Sequence, residues 1–356
     1  MKIWDYIKDK LFNRKKALPE PISKIEENNQ SIPTTSSGKK AFDERVKVDI
    51  DIKPNTLDWA IDQYMAALIV QDNFEQRFNP YNALIKLGAL KTLTSGNNSE
   101  NEKQFLENIK EGNYGNNIEL REQGSPKTEF YHICNDDKWA IGKNYRIYLN
   151  CKKENVAMIA SRLVEELKDQ KFYFKFNSNE SNGERSEQFV FYTENLQDLC
   201  NKASIIDKVK NENPKLFEGA NSLNPFLKVV DGYIGYAPET PEGEYINLRG
   251  ETQYIDESYN SLLSATLEDS FTSSMKALAQ NDLNMDITGY NLKQIINSKF
   301  LETIYQDDNL KRKFIESVKQ NLKLASEKNP KLDIKGIENK TRLQQRTSED
   351  YIPENY

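Results

Sequence analysis

Four side chains near the middle of the chain, Arg146, Tyr148, Tyr173 and Lys175, are the groups whose types and spacing suit chemistry. A guanidinium, an amine and two phenols on one surface carry positive charge, donate hydrogen bonds and exchange protons. They share a surface only if the segments holding them are neighbouring strands. Residues 143–195 read that way, as strand, helix, strand, strand. In "NYRIYLN", Tyr145, Ile147 and Leu149 alternate with Arg146, Tyr148 and Asn150, the period of a strand. "ENVAMIASRLVEELKD" spaces Val156, Ile159, Ala160, Leu163, Val164 and Leu167 by three and four, the apolar stripe of an amphipathic helix. "KFYFKF" sets Phe172, Phe174 and Phe176 on one face, with Tyr173 and Lys175 on the other, and "QFVFYTEN" supplies the last strand. Each group also has a plainer reading. Lys175 fits an exposed strand lysine with its stem across Tyr173, and Tyr148 and Tyr192 fit half-buried strand aromatics. Arg185, following the loop "NSNESNGE", fits a surface arginine.

Composition bounds what such a site can serve. The 356 residues suffice for one large domain or two smaller ones. Apolar residues make up 37% and charged residues 29%, the balance of a folded centre with polar ends. A net charge of −6 argues against general nucleic-acid binding, which needs a basic footprint. No run approaches the roughly 18 apolar residues that cross a bilayer, and the N-terminus lacks the apolar core and cleavage site of a secretory signal. A cytoplasmic location, or export by an effector route that bypasses the general secretory signal, is expected. Cys134, Cys151 and Cys200 are odd in number and widely spaced, and His132 is the one histidine. Buried free thiols in a reducing compartment fit them better than a zinc site. His132, inside "FYHIC", reads as a packed strand residue.

The elements follow in order. Residues 1–16 place Ile3, Trp4, Ile7, Leu11 and Phe12 on one helical face, with six Lys or Arg against two Asp. Such a helix suits peripheral contact with an anionic membrane or a partner groove, or simple packing on its own domain. The Pro-, Ser- and Asn-rich residues 17–40 read as a linker, and "VKVDIDIK" as an edge strand or arm. The proposed divisions are 1–45, amphipathic helix and linker; 46–125, a helical region; 126–282, an α+β core; 283–328, helices; and 329–356, a disordered tail. Helices are expected from Leu57, capped by Thr56, over about 80–94, and over about 102–110. Residues 112–126 read as a long polar loop. "TEFYHIC" and "AIGKNYRIYLN" read as a hairpin, and a helix after Asn195 stops at Pro214. Two short strands within 224–250, a rim loop at "PETPEGE", a long helix from about Asp256 and helices over 292–304 and 309–326 complete an α+β chain with a central mixed sheet.

"NYRIYLN", the helix after it, "FYFKF" and "RSEQFVFY" together resemble, in order and spacing, the central block of the HopA type III effector family. "NPFLKVVDGYIGYAPETPEGE" and "ESYNSLLSA" resemble the family's next two segments, so that the likeness covers about residues 130–280. Relatives of that family act as lyases in lanthipeptide pathways, and the wider comparison is with phosphothreonine lyases. The resemblance implies β-elimination of phosphate from a phosphorylated Thr or Ser in a peptide or protein, without a cofactor or metal. It makes Lys175 the base and places Arg146 and Tyr148 where phosphothreonine lyases carry a Lys-x-His pair. With no histidine there, the acid role falls to Tyr148, and Arg146 belongs to the catalytic set. Arg185, Tyr173, Tyr192 and Asn150 are assigned to substrate binding, Arg185 at the phosphate. A lysine base needs a lowered pKa, from burial or a neighbouring cation such as Arg146. The family's arginine after Ser-Phe-Gly has no counterpart in "SYNSLL".

Two classes of function remain open. One is a lyase acting on a phosphorylated peptide. The other is a catalytically silent protein that uses the same cleft for a phosphopeptide, a carrier arm or a partner protein.

Overall fold

Alternating Phe and Tyr along the central strands build a sheet with one largely apolar face and one mixed face. The structure, a computed structural model, describes residues 56–332 apart from 75–79, 86, 88–98, 124–129, 136–143, 179–185, 219–222, 232, 241–242, 257 and 298. The basic helix over 1–16, the linker, the arm at 46–53, the tail beyond 332 and Arg185 lie outside the described residues.

Helix α1 is Leu57–Phe74, and Thr56 Oγ1 accepts from the Trp59 N–H at its start. Helices α2 (Pro80–Ile85) and α3 (Ser99–Lys110) follow. Strands β1 (Ile118–Gln123), β2 (Phe130–Asn135) and β3 (Tyr145–Leu149) come next, then a 3-10 turn and α4 (Val156–Leu167). After α4 run β4 (Tyr173–Asn177), β5 (Phe189–Thr193), α5 (Leu196–Glu212) and α6 (Pro214–Phe217). Strands β6 (Lys228–Asp231) and β7 (Ile234–Pro238) pair with each other, as do β8 (Gly243–Ile246) and β9 (Thr252–Ile255). Helices α7 (Tyr259–Leu283), α8 (Leu292–Asn297), α9 (Phe300–Gln306) and α10 (Asp308–Lys328) close the described chain.

The class is α+β, as expected. The main sheet runs β1-β2-β4-β5-β3-β7-β6, antiparallel in every ladder. Its apolar face, with Ile133, Ile147, Leu149, Phe174, Phe176, Phe189 and Phe191, packs in one cluster with α3, α4 and α5. The other face, through Cys134, Tyr148, Tyr173, Val190 and Tyr192, joins a second cluster with α1, α2 and α7–α10. Among the described residues no helix is long and apolar enough to cross a membrane.

Three expectations are corrected. The polar loop over 112–126 contains β1, whose backbone pairs along β2 from Ile118 opposite Asn135 to Gln123 opposite Phe130. Its charged side chains suit an edge strand. β2 and β3 do not form a hairpin: β4 and β5 lie between them. The span 292–304 is two helices, because Lys299 adopts a left-handed φ of 61°, which stops one helix and precedes the next.

Candidate functional site

The order β4-β5-β3 is what gathers the site. Strand β5 pairs with both neighbours, and Val190 stands opposite Lys175 on one side and Tyr148 on the other. Lys175 is in turn opposite His132. His132, Lys175, Val190 and Tyr148 therefore form one cross-strand row on the mixed face. Lys175 and Tyr148 are two strand spacings apart, about 10 Å between backbones. In the next row Arg146 stands opposite Tyr192, and Tyr173 stacks on Tyr192 with ring centroids 4.3 Å apart. The Arg146 guanidinium lies 5.0 Å from the Tyr192 centroid. Alternation along each strand thus brings Arg146, Tyr148, Tyr173, Lys175 and Tyr192 onto one face.

Arg146 is buried and donates through Nε and Nη2 to the two carboxylate oxygens of Glu239, just past β7. The Glu239 backbone N–H is itself fixed by the Asn144 carbonyl at 2.7 Å. Burial alone would lower the Arg146 pKa; Tyr148, Tyr192 and Glu239 outweigh it and hold the group more firmly charged than an ordinary arginine. This is a two-pronged guanidinium–carboxylate pair, the geometry with which arginine also takes a phosphate.

Tyr148 is 2% exposed, and its hydroxyl has no hydrogen-bond partner among the described residues. Burial raises its pKa well above the ordinary phenol value. Arg146 opposes the shift, while Glu187, Glu239 and Tyr81 of α2 reinforce it. The phenol stays protonated. Glu187, buried ahead of β5, accepts from Ser186 Oγ at 2.8 Å and from Asn260 Nδ2 of α7 at 3.4 Å.

Lys175 is half-buried, with Nζ 4.3 Å from the Phe130 ring centroid. His132 Nδ1 lies 2.7 Å from the Tyr173 hydroxyl. Burial, then Tyr192, raises the Tyr173 pKa. Asn150 is buried just past β3, with its N–H on the Tyr233 carbonyl at 2.8 Å. Among the described residues no three His, Cys, Asp or Glu gather as a metal site. Cys134 and Cys151 are buried thiols, and Cys200 is partly exposed.

Sequence reading found the strand residues but missed Glu239, Glu187 and Asn260, and it left His132 out of the site. Period-2 alternation carries no information on loop and helix residues arriving from elsewhere in the chain. The interval between "FYHIC" and "KFYFKF" likewise hides the ladder that seats His132 opposite Lys175.

No family model matches the chain, and no curated protein matches it. Among solved structures it is similar to the effector protein from Pseudomonas syringae pv. syringae strain 61, at 12% identity and a TM-score of 0.43, covering 68% of this chain and 97% of that one. It is also similar to the effector protein from Pseudomonas syringae pv. tomato strain DC3000, at 14% identity and a TM-score of 0.38, covering 69% and 95%. Both likenesses are weak.

Proposed function

We propose that the mixed face of the sheet is a lyase site that eliminates phosphate from a phosphorylated Ser or Thr in a peptide or protein. The observation that carries this reading is the row Lys175–Val190–Tyr148, which sets an amine and a protonated, unpartnered phenol on either side of one small residue. Arg146 stands in the adjoining row as the fixed positive charge. In the reaction the neutral Lys175 amine takes the substrate α-proton, the electron pair of that C–H bond forms the alkene, and the Cβ–O bond to phosphate breaks. Tyr148 gives its proton to the departing phosphate, whose growing charge Arg146 stabilises. Transfer of a proton from the Lys175 ammonium to the Tyr148 phenolate then resets the pair. The products are a dehydroamino acid and hydrogen phosphate.

A second reading rests on a different observation. Glu239 already fills the Arg146 fork, and Arg146 and Tyr148 are both buried, which suits a closed, catalytically silent site that retains a phosphopeptide, a carrier arm or a partner protein. Mass spectrometry of a phosphothreonine and phosphoserine peptide panel separates the two. The lyase predicts a loss of about 98 Da, one phosphoric acid per elimination, with the unmutated protein and none with Lys175→Ala. Peptide retained on the protein without mass change supports the silent binder, and the same mass loss with Lys175→Ala removes Lys175 as the base.

A further inference from the structure

Buried polar atoms in folded proteins are nearly always partnered, and each exception asks what is missing. Among the described residues, two such exceptions stand beside or next along the chain from one ion pair, and a third stands beside Glu187. The Tyr148 hydroxyl is unpartnered, and Arg146, Glu187 and Glu239 all act on it electrostatically. The Thr240 hydroxyl is unpartnered in the residue after Glu239, and Asn260 Oδ1 is unpartnered beside Glu187. All three residues are buried, at 2%, 6% and 4% exposure. In the pair itself both prongs of Arg146 are on Glu239, 93 residues away in sequence.

We infer that Glu239 is an exchangeable internal anion: its carboxylate fills the seat that Arg146, with the Tyr148 hydroxyl, provides for the phosphate of an incoming phosphomonoester. The inference rests on reading this face as a phosphate site. Its structural basis is the anchoring of Glu239. The backbone N–H of Glu239 is bonded to Asn144 O, so the side chain can swing while the strand end stays in place. The Arg146 backbone is held by ladders on both sides, β5 and β7, and its guanidinium rests over the Tyr192 ring. A guanidinium fork accepts carboxylate and phosphate with the same two parallel hydrogen bonds. Phosphate brings a further oxygen, which the carboxylate lacks, for the Tyr148 hydroxyl. Selectivity follows. A ligand carboxylate offers Arg146 nothing that Glu239 does not already supply, whereas a phosphate gains an extra hydrogen bond. Glu239 thereby makes the site discriminate between phosphorylated side chains and acidic ones.

An internal ligand weakens an external one by the factor with which the occupied form outweighs the open form. Removing its charge should therefore raise phosphate affinity by tenfold or more. The test titrates inorganic phosphate, and acetate as the carboxylate control, into the full chain by calorimetry, for the unmutated protein, Glu239→Gln and Glu239→Asp. The shorter Asp cannot reach both prongs, and it keeps a negative charge opposite Arg146 should the Gln variant fail to fold, as judged by circular dichroism. Tighter phosphate binding by the folded variants, with the selectivity over acetate reduced, supports the exchange. Folded variants that bind phosphate no better than the unmutated protein overturn it and make the pair purely structural. The lyase reading fails separately: tight phosphate binding without elimination from any phosphopeptide keeps the exchangeable carboxylate and removes the chemistry. Elimination with unmoved phosphate affinity does the reverse.

Discussion

Tyr148 gives the sharpest test at the level of single residues, because its hydroxyl makes no hydrogen bond among the described residues. A buried hydroxyl without a partner costs stability, so its removal leaves no orphan behind. Tyr148→Phe is expected to hold stability level or raise it by about 1 kcal/mol. The same change takes away the proposed general acid, and elimination should fall by about 100-fold or more. Chemical denaturation and the peptide mass assay read the two effects on one preparation. Full turnover in the Phe variant excludes Tyr148 as the acid; a drop matched by lost stability would mean that the residue is merely structural. The position of Tyr148 beside Arg146 was legible from period-2 alternation in "NYRIYLN" alone. That its hydroxyl is stranded, and that Glu239 neutralises Arg146, was not. Those facts depend on a loop and a helix separated from the strand by most of the domain, and on burial that local pattern does not encode.

At the level of elements, α4 is the support that holds the sheet from behind. Leu163 is 0% exposed within the cluster that joins this helix to Ile147, Phe174 and Phe191, on the strands whose opposite face carries Arg146, Tyr148 and Lys175. Leu163→Ala opens a cavity in that layer and should cost about 3 kcal/mol, measured by denaturant unfolding. A cost under about 1 kcal/mol would show that the layer collapses around the gap. The loss should appear without any change in phosphate selectivity in the folded fraction, since Leu163 does not reach the mixed face. Strong periodicity made α4 readable to within about two residues at each end, and the three central strands equally so. The pairing of β2 was not readable. Alternation states which residues share a face but not which strand lies alongside, and here the chain places β4 and β5 between β2 and β3. β1 was hidden for another reason: "IELREQ" offers only Ile118 and Leu120 as apolar alternates, and an edge strand needs no more.

Across the whole molecule the two faces of the sheet differ in how they answer to pH. The layer against α3, α4 and α5 is built mainly on Phe, Leu, Ile and Val, and within it burial raises the pKa of the Cys151 thiol. The layer against α1 and α7–α10 holds Tyr64, Tyr148, Tyr173, Tyr245 and Tyr305, and burial, the leading cause in each, raises all five above the ordinary phenol value. An unfolded chain ionises its tyrosines near pH ~10. Below that value both states keep these protons, and the groups add no pH dependence. Above it the unfolded state binds fewer protons than the native one, so stability falls as pH rises. Each withheld proton contributes a slope of about 1.4 kcal/mol per pH unit. Denaturant unfolding at stepped alkaline pH should therefore show a steep loss setting in near pH ~10, and Tyr148→Phe should reduce the slope by one proton's worth. Hydrogen exchange followed through the same range should show α1 and α7 losing protection before α4, because the five raised phenols sit on their side of the sheet. A stability profile that stays flat through that range, or simultaneous loss of protection on both faces, would mean that the two layers open together and that the buried phenols do not govern alkaline unfolding.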